Sequence, residues 1–111
     1  LIAVAVTSGA RLAGADREAV QRLGDYGNKV GLAYQIVDDI LDVEGTVEQL
    51  GKDVGSDAVR GKGTYPGLYG LQESKLMAET LVRDAKNALR PWGTRTAVLN
   101  AFADYVLSRQ N

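Results

Sequence analysis

The chain has 111 residues, room for one domain with one modest core, and its 45% hydrophobic and 24% charged residues are those of a soluble globular protein. A formal net charge of -1 leaves no basic footprint for nucleic acid. The lack of cysteine and histidine excludes disulfides, thiolate metal sites, most zinc sites and Ser-His or Cys-His catalysis, leaving carboxylates, lysines, arginines, amides, hydroxyls and a metal ion.

Leu1 opens the chain in mid-pattern with no capping residue before it, and the only methionine is Met77. The expectation is a piece of a longer protein. No apolar run approaches the roughly 20 residues of a membrane span, and the apolar start lacks a signal peptide's basic leader and cleavage pattern. From Leu1 to about Ala13 the chain is rich in Ala and Val around Thr7-Ser8-Gly9. It reads as the tail of a buried helix, with a strand left open by the valines. Gly14-Ala15 makes a break, and Asp16 is a good N-cap with Glu18 in the turn that follows.

A long helix is expected from about Arg17 to Val43, with Val20, Leu23, Val30, Ala33, Val37, Ile40 and Leu41 on its apolar side. On its other side Gly24, Asn28, Gly31, Gln35, Asp38 and Asp42 recur at three- and four-residue spacing, so one face runs from small residues to acids. Each interior glycine costs about 1 kcal/mol against alanine. Something therefore packs close to this face: either another helix, or a ligand in a groove with apolar walls and a metal-binding mouth.

The stretch Tyr34-Gln35-Ile36-Val37-Asp38-Asp39-Ile40-Leu41-Asp42 is the most informative. At about 100° per residue, Gln35, Asp38, Asp39 and Asp42 fall within roughly a third of the circumference, and the remainder is apolar. A narrow carboxylate stripe on an otherwise apolar helix reverses the proportions of a solvated helix and predicts burial, so the acids need partners. Three like charges facing one way favour a divalent cation, and all-oxygen ligands select a hard ion, Mg2+ above Ca2+. The alternative is an acidic helix end solvated by water.

Glu44-Gly45 is expected to end the helix. From Thr46 to Gly63 the sequence has the character of a loop with short helical turns, holding Gly51-Lys52-Asp53, Gly55-Ser56-Asp57 and Arg60-Gly61-Lys62-Gly63. Glycines beside lysines let backbone approach an anion that ammonium groups neutralise. The spacing is not that of a P-loop. Phosphate binding gains weight because Mg2+ and phosphate commonly share a site. Thr64 is the N-cap of a short helix to about Leu71, with Pro66 in its first turn. A longer helix runs from about Glu73 to Leu89, with Leu76, Met77, Thr80, Leu81, Asp84, Ala85 and Ala88 at helical spacing. After a turn at Arg90-Pro91-Trp92-Gly93, a last helix spans about Arg95 to Arg109, with Val98, Leu99, Phe102, Val106 and Leu107 turned inward. Trp92 and Phe102 read as core. There is no internal repeat or linker, and residues 1–111 read as part of one all-α domain.

At these residues the chain resembles the polyprenyl synthetase family, the trans-isoprenyl diphosphate synthases. Asp38-Asp39-Ile40-Leu41-Asp42 is similar to the family's second aspartate-rich motif, DDxxD, and Gly31-Leu32-Ala33-Tyr34-Gln35 to the segment before it, where the family usually has Phe in place of Tyr34. Leu50-Gly51-Lys52, Gly55, Asp57 and Gly61-Lys62-Gly63-Thr64-Tyr65-Pro66 are similar to the downstream elements in the same order, and the ending from Ala103 to Arg109 looks most like that of bacterial farnesyl diphosphate synthases.

The resemblance implies the C-terminal part of an all-α isoprenoid-synthase bundle around a deep central cavity. It implies an Mg2+-dependent enzyme, a cytoplasmic homodimer that condenses isopentenyl diphosphate with an allylic diphosphate. By the same likeness Asp38 ligates Mg2+ with help from Asp39 and Asp42, and Lys52 and Lys62 contact the allylic diphosphate. Gln35 lines the cavity near the reacting carbons, and Arg109 approaches isopentenyl diphosphate. The family's first aspartate-rich motif, most of its isopentenyl diphosphate site and its determinant of product length have no counterpart here. They belong to a missing N-terminal portion of the same enzyme. A different reading is a non-catalytic helical regulatory or interaction subunit of a prenyltransferase. Such subunits often lose their aspartate motifs, whereas this chain keeps all three acids and both lysines. A third is a bare structural bundle.

Overall fold

The computed structural model describes residues 1–49 and 63–109, and every regular element among them is helical. Helix α1 (Ile2–Leu12) ends as the sequence predicts. Gly14 takes φ 79°, and the N–H groups of Gly14 and Ala15 donate to the carbonyls of Arg11 and Ala10 at 3.1 and 3.0 Å. This is a Schellman closure, which needs a left-handed residue that glycine supplies without strain. Asp16 then caps helix α2 (Arg17–Gln49), its Oδ1 accepting from the Ala19 N–H at 2.8 Å.

Helix α2 runs past its expected end. Gly45 is helical, with nothing within 4 Å of where a Cβ would sit. One glycine lowers helix propensity by about 1 kcal/mol, too little to end a helix by itself. At 1.5 Å per residue the 33 residues span about 50 Å and set the long dimension of a 54 × 21 × 20 Å body. The expected loop at Lys52 and Lys62 lies outside the described residues.

Helix α1 crosses α2 at very short range. An added Cβ at Gly27 would lie 2.5 Å from Ala3 Cα, and one at Gly24 would lie 3.2 Å from Thr7 Cγ2. Close helix packing therefore explains the small residues at this end of α2, although Gly27 rather than Gly31 is the tight position. Most of α1 is not buried as expected: Ala10 alone is, while Leu1, Val4 and Leu12 face outward.

Beyond residue 63, Thr64 caps helix α3 (Tyr65–Tyr69) by accepting from the Gly67 N–H at 3.2 Å. Gly70 turns the chain with φ 85° into helix α4 (Leu71–Ala88). A 3-10 segment (Arg90–Thr96), bent at Gly93, leads to helix α5 (Ala97–Ser108). Two apolar clusters join these helices. Tyr26, Val30 and Ala33 of α2 meet Val82, Ala85, Ala88 and Leu89, together with Ala103 and Val106 of α5. Further along, Ile36, Val37 and Ile40 meet Ala78.

Most residues expected to face inward do so: Met77, Leu81, Ala85 and Ala88 on α4 and Leu99, Val106 and Leu107 on α5 are buried or packed on the clusters. Small side chains share the seam, however, and Leu76, Val98 and Phe102 are turned out. Ser74, Ala78, Val82 and Ala85 are buried on α4, where Leu76 is exposed. On α5 Val98 is 81% and Phe102 40% exposed, while Ala103 and Val106 are buried. Trp92 does pack against the core, but Phe102 does not belong to it. No helix among the described residues is long and apolar enough to cross a membrane.

Tyr26 anchors this core. It is fully buried and its hydroxyl donates to the Leu99 carbonyl at 2.7 Å. Tyr26→Phe removes that bond and is expected to cost about 1–2 kcal/mol. Burial pushes the phenol from 10.0 up to about 12. A raised folded value means the contribution is whole below the unfolded value of 10.0 and is lost as pH climbs through about 12. Urea unfolding of wild type and Tyr26→Phe between those limits should show the alkaline loss in wild type and a flatter profile in the variant.

Candidate functional site

Helix geometry sets the acids at different angles. Asp38 and Asp42 lie one turn apart on one face of α2, and both are exposed. Asp39, about 100° round the helix, is half-buried, and its Oδ2 accepts from the Tyr65 N–H at 3.3 Å. That bond holds the first turn of α3 against α2, where a carboxylate also suits the positive end of a helix. Gln35 and Asn28 are exposed on the α2 surface, and Gly31 has no neighbour within 4 Å of an added Cβ. The acidic end of the stripe is thus open, in contrast to the burial expected of it.

Arg109, just after α5, reaches this stripe. Its Nη2 pairs with Asp38 Oδ1 at 2.5 Å and donates to the Tyr34 carbonyl at 3.1 Å, and its guanidinium carbon sits 3.8 Å from the centre of the Tyr34 ring. The arginine side chain is only 6% exposed, against 50% for Asp38. Residues 71 apart in sequence are thereby joined at the acid motif. Lys52 and Lys62 lie outside the described residues.

On the adjoining face of α2 is an open cleft of about 260 Å³, floored by Val37, Ile40, Ala78 and Leu107. Its rim holds an ion pair between Glu44 and Lys75 at 2.9 Å. Sequence reasoning assigned no role to Tyr34, Glu44 or Lys75. Tyr34 was placed on the apolar side of its helix and in the family segment before the acid motif, and no periodicity within α2 could reveal an arginine arriving from beyond the end of α5.

Among the described residues no three acids converge on one point where a metal could sit. The donor set nevertheless fits magnesium of a particular kind. Mg2+ is usually held by one or two carboxylates together with substrate phosphates and water, not by an all-protein cage. Asp38 and Asp42, exposed on one face one turn apart, are such a pair. Asp38 is also paired with Arg109, and Asp39 accepts from the Tyr65 N–H.

Comparison with known proteins identifies the context of this motif. The polyprenyl synthetase family model matches residues 1–92. A dimethylallyltranstransferase of Fischerella ambigua is 46% identical over 109 residues, covering 98% of this chain and 32% of its own length. A geranylgeranyl diphosphate synthase of Cyanophora paradoxa is 42% identical over all of this chain and 37% of its own. A farnesyl diphosphate synthase of Escherichia coli is 42% identical over 98% of this chain and 38% of its own. The chain therefore spans between 32% and 38% of the length of these relatives. With the match running from α1 through α2 and its acid stripe to the turn after α4, the chain belongs to the polyprenyl synthetase family.

Proposed function

We propose that the protein carrying these residues is an Mg2+-dependent prenyltransferase that joins isopentenyl diphosphate to an allylic diphosphate, and that this chain supplies the half of its site built on the second aspartate-rich motif. The observation that carries this reading is that Asp38 and Asp42 reach the surface one turn apart on one face of α2, in a chain of this family. The farnesyl and geranylgeranyl diphosphate synthases are equally similar, at 42%, which supports a short-chain product without choosing between them.

The chemistry begins with heterolysis of the allylic carbon–oxygen bond, which leaves a carbocation and a departing pyrophosphate. Bound Mg2+ supplies charge neutralisation on that departing anion. Asp38 and Asp42 hold the ion, while Asp39 keeps the Thr64-Tyr65-Pro66 segment seated beside them. Lys52 and Lys62 add positive charge at the diphosphate, where fixed cations stabilise the developing negative charge. Gln35, one turn before Asp38, presents its amide towards the reacting carbons. Apolar side chains around it keep water from the cation. Arg109 serves the diphosphate of the second substrate.

The test is turnover of isopentenyl and geranyl diphosphates by the intact protein, with the product's chain length read after dephosphorylation. A fifteen- or twenty-carbon product that needs Mg2+ and disappears with chelator is expected. No product with Mg2+ present overturns the reading. The 111-residue chain alone is expected to be inactive, because it carries one acid motif. Turnover by it would sink the half-site assignment.

A further inference from the structure

We propose that Arg109 is a built-in counter-cation for Asp38, one that a divalent cation must displace; this rests on the reading of Asp38 as a magnesium ligand given above. The guanidinium meets the Asp38 carboxylate, the Tyr34 carbonyl and the Tyr34 ring. The arginine side chain is 6% exposed and the aspartate 50%, so the arginine is the seated partner while the carboxylate still faces solvent and can be reached by an ion.

A guanidinium does not lose its proton in proteins, so no change of pH within the working range removes the competitor. A divalent cation at the same carboxylate repels it at short range, where exposed charges still interact appreciably. Metal and arginine therefore compete for the charge of Asp38. By linkage, whatever affinity the metal loses to Arg109 is the factor by which the metal loosens the end of α5 from α2. The displaced guanidinium is then available to an anion elsewhere in the site. Tyr34 gives it a resting place, since a cation over an aromatic face is held at modest strength and can leave.

The experiment uses the intact protein, Mn2+ as the ion and inorganic pyrophosphate as the anion, with bound Mn2+ read by electron paramagnetic resonance. Arg109→Gln is expected to tighten Mn2+ binding about tenfold, within the roughly 5–150-fold typical of coupled sites. Arg109→Lys, which keeps charge but not the fork or the ring contact, should tighten it less. In thermal unfolding the metal-free Arg109→Gln protein should melt below wild type, and saturating Mg2+ and pyrophosphate should narrow that gap. If Asp38→Asn weakens Mn2+ binding but Arg109→Gln leaves it unchanged or weaker, the counter-cation proposal is overturned and Asp38 stands as a ligand. If Asp38→Asn leaves it unchanged, both fall together.

Discussion

On the proposed function, Asp38→Asn in the intact protein is expected to lower kcat/KM by on the order of 10²–10³, a loss comparable to removing one group that stabilises transition-state charge. The substitution is nearly isosteric and removes one negative charge from a side chain that is 50% exposed. The fold should therefore survive it. Arg109 loses its ionic partner but keeps the Tyr34 carbonyl and ring, so a fall of only a few degrees in Tm is expected. Asp39→Asn is the internal control. Its side-chain oxygen can still accept from the Tyr65 N–H, so α3 stays seated and the activity loss should be smaller. A bare helical bundle makes the opposite forecast: thinning a cluster of like charges is then neutral or stabilising. Steady-state kinetics and thermal unfolding on the same preparations separate the two. Retention of activity within a factor of three by Asp38→Asn removes it from the ligand set.

The second large effect is on stability. Gly27→Val should destabilise the protein by about 3 kcal/mol or more, the upper range for overpacking. Its Cβ would lie 2.5 Å from Ala3 Cα and 2.9 Å from Ala3 N, and these are backbone atoms that cannot rotate away. Helix α1 must lift from α2 to admit it. Gly31→Ala, one turn along the same helix, has nothing within 4 Å of the new methyl. It should gain up to about 1 kcal/mol from helix propensity alone. Urea unfolding of the pair tests contact against propensity; similar stabilities for both would refute the close crossing.

Much of the fold was legible because local rules and tertiary packing agreed. Asp16 and Thr64 cap the helices that they were expected to cap, and Gly14 breaks the chain where a left-handed residue is needed. The apolar side of α2, from Val30 to Ile40, is the buried side. Reading failed where large apolar residues were assumed to face inward. Ala78 and Ala103 were passed over and are buried in the seams of α4 and α5, whereas Phe102, Val98 and Leu76 were left outside. The end of α2 was missed because Gly45 was weighed as a stop signal, although one glycine's penalty of about 1 kcal/mol does not end a helix by itself. At the site, the acid stripe and its i, i+4 pair could be read from spacing. What separates Asp39 from its neighbours, a backbone N–H from Tyr65, is a long-range contact with no periodic signature. The seat of Arg109 on Tyr34 is another.

Helix α2 also has a mechanical meaning. Gly27, where α1 presses closest, and Asp38, where the acid stripe opens, are eleven residues apart on one continuous rod, about 16 Å along its axis. An unbroken helix of that length bends little, so a tilt imposed at one point would reach the other if the far part were free. The far part of the same rod is seated on α4 through Ile36, Val37 and Ile40, so α1 and α4 together set where the carboxylates stand. A substitution in α1 at Ala3 that pushes the helices apart is therefore expected to be felt first at Gly27 and only weakly at Asp38 and Asp42.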